Sequence, residues 1–186
     1  YNRLQNPFVL ENAGADAFGE IFEKRNGQGA QVQGVSAEYR FNFRKKMQWQ
    51  AGVTLQQSRY DTAVTLISGQ DPLRAFSRTP NAFGYVYGWV DVTKKINVSL
   101  DAVHTGSMYV PHFGGAVNFL RDSIVRTAPF LEFNTALNYK LVSKKGLVWT
   151  LSVGVRNILN AYQRDFDIGK NRDSNYIYGP GAPRTY

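Results

Sequence analysis

Two polar stretches, residues 61–81 and 113–129, carry side chains well suited to hold a ligand. Arg74, Arg78, Arg121 and Arg126 each offer a planar fork of donors that matches a carboxylate or a phosphate. Tyr109, Phe113, Tyr176 and Tyr178 offer ring faces on which a chelate or a macrocycle can stack. Loops held by a rigid scaffold are where binding residues concentrate, and the same residues also serve to brace one loop against another.

Other chemistry is sparse. The chain has no cysteine and two histidines, His104 and His112, without metal-binding spacing, so they are expected at a strand rim or in a loop. Asp165, Asp167 and Asp173 have the oxygen ligands that calcium favours, but not the spacing of an EF-hand loop, and solvated carboxylates are the plainer expectation. No Ser-His-Asp arrangement can be supported from one sequence. The chain is therefore expected to be no enzyme, with no cofactor and no resident metal. Its net charge of +8 raises the question of nucleic acid. Seven of the basic residues, however, sit in three short clusters: Arg44, Lys45 and Lys46; Lys94 and Lys95; Lys144 and Lys145. Nucleic-acid binders spread cations over a docking face, often with a recognisable motif, so none is expected as a partner.

Those clusters mark the elements that must position the candidate residues. Each is flanked on both sides by alternating segments, the pattern of a tight hairpin turn. Val35, Ala37, Tyr39, Phe41 and Phe43 alternate with Ser36, Glu38, Arg40 and Asn42. Met47, Trp49, Ala51, Val53 and Leu55 alternate with Gln48, Gln50, Gly52 and Thr54. Phe83, Tyr85, Tyr87 and Trp89 share one face of a third segment, whose other face, Gly84, Val86, Gly88 and Val90, is small and apolar. Ile96, Val98, Leu100 and Ala102 form a fourth apolar row. Leu131, Phe133, Leu137, Tyr139 and Leu141 form a fifth, and Leu147, Trp149, Leu151, Val153 and Val155 a sixth. Period-two alternation predicts strands with one uncharged face each.

Short turns at one end and long loops at the other match an outer-membrane β-barrel, whereas a soluble sandwich turns every 8–12 residues or so. No uncharged apolar run approaches the ~20 residues of a spanning helix. All three tryptophans, Trp49, Trp89 and Trp149, lie near basic turns, and an aromatic girdle on the outer face is the expected place for them. The opposite face carries Glu38, Arg40, Asp101, Glu132, Lys140 and Arg156, which a dry core would tolerate only if every charge were paired. A wide lumen removes that difficulty and implies more strands than this chain supplies. The expected fold is all-β: an antiparallel meander of about seven strands over residues 1–186, part of a large transmembrane β-barrel, with outer strands near residues 1–10 and 147–162.

The end of the chain carries a family resemblance. Val155-Arg156-Asn157-Ile158-Leu159-Asn160-Ala161-Tyr162 resembles the penultimate-strand motif of TonB-dependent outer-membrane receptors, an Asn-hydrophobic-hydrophobic-Asn element before the final surface loop. Pro180-Gly181-Ala182-Pro183-Arg184 is similar to the loop exit of the siderophore and cobalamin type. The resemblance implies a bacterial outer-membrane transporter that binds a ferric chelate or cobalamin-like vitamin at its outer face. Its partners would be outer-membrane lipid and TonB, reached through a plug region that, like the last strand, is expected to be absent here. Loop residues would then grip ligand, brace other loops or touch surface lipopolysaccharide. A passive porin or barrel adhesin, and a soluble β-sheet binding module, are the other readings of the same strands.

Overall fold

The computed structural model describes the chain except Pro7, Phe18, Lys144 and the side chains of Val9, Glu11, Asn12 and Glu20. Its elements are β1 (Asn2–Leu4), β2 (Phe8–Asp16), β3 (Gly19–Asn26), β4 (Ala30–Phe43), β5 (Met47–Val64), β6 (Leu73–Ala75), β7 (Ala82–Asp91), β8 (Ile96–Thr105), β9 (Tyr109–His112), β10 (Ser123–Arg126), β11 (Phe130–Val142) and β12 (Val148–Val155). Among the described residues there is no helix, so the protein is all-β. Six long strands form an antiparallel meander in the order β4-β5-β7-β8-β11-β12, with β1 beside β4 and β6 beside β5. Two separate hairpins, β2–β3 and β9–β10, complete the chain.

The six alternating segments fall in these long strands, except that Leu147 precedes β12, and their turns follow local chemistry. Arg44 and Lys45 take positive φ (46° and 55°) between β4 and β5, and the amide of Lys46 closes the turn on the Phe43 carbonyl at 2.8 Å. The Thr93 hydroxyl accepts from the amides of Lys95 and Ile96 at 3.1 and 3.0 Å, and the Ser143 hydroxyl accepts from those of Lys145 and Leu147 at 3.2 and 3.3 Å. A short side-chain acceptor thus fixes the second and third of these turns. Lys144 lies outside the described residues.

Three expectations need correction. The first ten residues are not one strand: only β1 joins the main sheet, opposite Ala30–Val32 of β4, while Phe8–Asp16 pairs with β3. The long connections also contain structure, because β5 continues to Val64 and the β9–β10 hairpin occupies much of the next loop. Finally, the tryptophans do not share a face. Trp49 stands opposite Gly88, whereas Trp89 stands opposite Gln48 and Ser99. Register therefore puts Phe83, Tyr85, Tyr87 and Trp89 on the polar face and leaves Gly84, Val86, Gly88 and Val90 on the apolar one. The cause is hydrogen bonding: Tyr85 donates to Glu38 at 3.1 Å, Gln50 donates to Glu38 at 2.7 Å, and the Tyr87 hydroxyl donates to Gln50. The emptied apolar side of β7 is covered by its neighbour, since a methyl group on Gly88 would overlap the Trp49 ring.

Burial is unevenly distributed. The buried apolar side chains among the described residues, Ala30, Ile67, Val110, Ala116 and Tyr176, all lie at the loop end. The apolar face of the meander has no core beneath it; Val53, Leu151 and Trp149 are 51%, 60% and 66% exposed. The total accessible surface is 12939 Å² for 21.0 kDa, against about 9,000 Å² for a compact monomer of that mass. Leaving such an excess in water is unfavourable by tens of kcal/mol at ~25 cal/mol per Å² of its apolar share. A domain's net stability is only about 5–15 kcal/mol, so an exposed apolar face of this size is a large unfavourable term while it stands in water.

Candidate functional site

The loop end is built as a cap on the polar side of the sheet. After β12, Asn157 and Asn160 take positive φ (50° and 54°), a conformation that asparagine tolerates better than most residues. The Asn157 side chain accepts from the Ala161 amide at 2.9 Å and donates to the Ala182 carbonyl at 2.9 Å. Asn160 accepts from the Arg184 amide at 3.0 Å. The Asn-x-x-Asn element is therefore a clamp that brings the residues around 182–184 back to the strand end, where Thr185 pairs with Arg156. Buried Gln163 then holds the returning segment, donating to the Tyr176 carbonyl and accepting from the Tyr178 amide, both at 3.0 Å.

His112 is the centre of the cap. Its ring lies between Phe119 and Tyr176, with centroids 3.6 and 3.4 Å away and nearly parallel planes. Nε2 meets the Asp167 carboxylate at 2.9 Å. Nδ1 of the same ring is buried and has no hydrogen-bond partner among the described residues. Asp167 also accepts from the Asp173 amide at 2.8 Å, and Asp173 from the amides of Phe113 and Asn175 at 3.1 and 2.8 Å. Asp165 accepts from the hydroxyls of Tyr176 and Tyr178 at 2.8 and 2.7 Å. Burial, and next the Asp165 carboxylate, hold the Tyr176 phenol far above its ordinary range and push Tyr178 up to about 12. The three carboxylates considered for calcium are each engaged by protein donors, and no metal-binding group of three occurs among the described residues.

The ligand candidates divide into two sets. Tyr176 is buried, with one ring face taken by His112, and Arg78 spends its guanidinium on the carbonyls of Asn175 and Ile177. Tyr178 is half-buried against Phe130. These three hold loop to loop. Arg74 and Arg121 are exposed and make no hydrogen bond among the described residues, while Arg126 makes a weak one to Ser107 at 3.4 Å. Tyr109 opposes Arg126 across the β9–β10 hairpin, and half-buried Phe113 meets the ring of Phe22 edge-on. Arg121, Arg126, Tyr109 and Phe113 thus belong to one hairpin and its connection, whereas Arg74 stands apart on β6. Sequence reasoning gave His112, Asn157 and Gln163 no such roles. For Asn157 the signal was present in its spacing from Asn160; for His112 and Asp167, 55 residues apart, there was none.

The polar face below the cap continues the network. Asn134 donates to Asp101 at 2.6 Å and to Glu132 at 3.2 Å, and Ser152 donates to Asn138 at 2.7 Å. Outside, the apolar rows end at the loop side in Gln33 and Gln57, which pair at 3.1 Å, followed by Arg59. Compared with protein families, curated proteins and solved structures, the chain matches none of them.

Proposed function

We propose that the chain forms wall and outer loops of a large outer-membrane β-barrel receptor, one that takes up a ferric chelate or cobalamin-like ligand with energy relayed through TonB. The observation that carries this reading is the coreless apolar face. It is continuous over six strands, bounded by basic turns on one side and by Gln33, Gln57 and Arg59 on the other. The paired rows from Met47 to Leu55 match the 9–11 residues or so that a tilted strand needs to cross a bilayer. The opposite face is hydrogen-bonded and polar, as a wet lumen requires.

The open edges support further strands. β1 covers β4 only as far as Val32, and β12 is met on its outer side at Arg156. Unpaired edges of this length recruit partners, and closure into a barrel satisfies them. The Asn157–Asn160 clamp and the returning Pro180–Arg184 segment support the receptor type, and Arg74, Arg121 and Arg126 are the cations left available to an anionic ligand. Sedimentation of the purified chain tests the membrane reading. Aggregation in plain buffer and dispersal in octyl glucoside micelles are expected; a dispersed monomer in plain buffer would overturn it.

A further inference from the structure

A cavity of about 610 Å³ lies beside the cap, between the β2–β3 hairpin and the loop-side extension of β5. That volume is within the range of about 300–1,000 Å³ typical of small-molecule sites. Tyr60, Thr62, Thr65 and Ser68 line it, together with Gln28 and glycine backbone from both walls. Among the described residues no charged side chain does.

The cavity differs from the cap in how its polar groups are used. In the cap, the carboxylates and the Gln163 amide are engaged by protein partners. Among the cavity's described side chains, Thr62 donates to Gln28 at 2.7 Å. The hydroxyls of Tyr60, Thr65 and Ser68 make no hydrogen bond among the described residues. Tyr60 is half-buried, and one side of its ring packs on Phe76 at 4.5 Å between centroids. A half-buried ring fixed by a neighbour, with unspent hydroxyls around it and no charge among the described lining residues, can satisfy alternating hydroxyl and C–H groups.

We infer that this cavity is a binding site for a neutral, hydroxyl-rich ligand of the saccharide class, separate from the arginines of the β9–β10 hairpin. Hydroxyls act as both donors and acceptors, so they pair with a polyol without the desolvation cost of a buried ion. The ring of Tyr60 supplies an apolar surface for the C–H face of a sugar. This inference does not depend on the membrane reading, because it rests on the cavity's lining alone.

Saturation-transfer NMR on the full chain in detergent tests it, with maltotriose and triacetylchitotriose as neutral probes and sulfated maltotriose as the charged control. At least one neutral probe is expected to bind, and the sulfated control not to displace it. Tyr60→Phe and Thr65→Val should each weaken the neutral probe roughly three- to tenfold, the loss of one hydrogen bond. Ser68→Ala, at an exposed position, gives the same readout without risk to folding, and Arg121→Ala should leave the affinity of the neutral probes unchanged. Failure of both neutral probes to bind the folded chain would overturn the inference. So would displacement of the neutral probe by the sulfated control, its affinity unchanged in all three hydroxyl variants, or its affinity lost in Arg121→Ala.

Discussion

The wall and the cap are built from the same all-β chain by opposite means. The wall, the six-strand meander, is held by backbone ladders and by side-chain pairs on its polar face, while much of its apolar face is left exposed among the described residues. The cap makes its own interior: Ile67, Val110, Ala116 and Tyr176 are at most 2% exposed, and the His112–Asp167 pair is buried with them. The difference teaches that the cap carries its own buried interior, whereas the wall leaves its apolar face exposed within this chain.

The largest effect is expected from emptying the cap. Tyr176→Ala removes a buried ring, the His112 stack and one donor to Asp165, and should cost the cap about 3–5 kcal/mol. Hydrogen exchange should then accelerate at residues near 112, 163 and 176 and stay slow in β5 and β8. Equal acceleration in both regions would break the division.

A charge on the wall's apolar face should cost nearly as much. Leu137, which pairs with Val98 and Val153, sits in mid-strand, and Leu137→Arg is expected to lose about 2–4 kcal/mol in a lipid environment. Ser36→Arg, on the polar face of β4, should stay within about 1 kcal/mol, because that face is read as wet. Denaturant titration in micelles measures both; similar losses would deny the two faces their difference.

Alkali should loosen the cap before the wall. Tyr178 holds its proton up to about 12, above the ordinary phenol value of 10.0, and Tyr176 is shifted in the same direction. A raised folded-state pKa contributes stability that is complete below pH ~10 and is lost as pH rises through the folded value. Phenolate absorbance should therefore appear together with cap opening between about pH 10 and 12. Asp165→Asn should lower the onset only partly, since burial, not the carboxylate, is the first cause of both shifts.

A smaller effect is expected where the wall covers its own gap. Gly88→Ala must displace the Trp49 ring or the backbone of Gln48, and should cost about 1–3 kcal/mol as overpacking. Its reporter is a shift in Trp49 fluorescence, with the cap unchanged.

The wall was legible in the sequence because alternation with period two survives any uncertainty in loops. Rows such as Met47, Trp49, Ala51, Val53 and Leu55 state both the strand and its face. Legibility failed at β7, where neither face carries charge; only register against Gln50 and Glu38 decides that the aromatic row turns to the polar side. In the cap, the Asn157–Asn160 spacing could be read as an element before its clamp geometry was known. The aromatic sandwich around His112 could not, since it joins residues that only the folded chain brings together. The unspent hydroxyls of Tyr60, Thr65 and Ser68 were equally invisible, because being unpaired is a property of the fold.

The face of the tryptophans gives the most direct test of the central claim. Single-tryptophan variants retaining Trp49, Trp89 or Trp149, each in micelles of a brominated acyl detergent, report which ring touches the apolar phase. Strong quenching of Trp149 and Trp49, and little of Trp89, is the expected result. Quenching of Trp89 equal to that of Trp149, or no quenching of Trp149, would contradict a wall whose coreless face is covered by lipid.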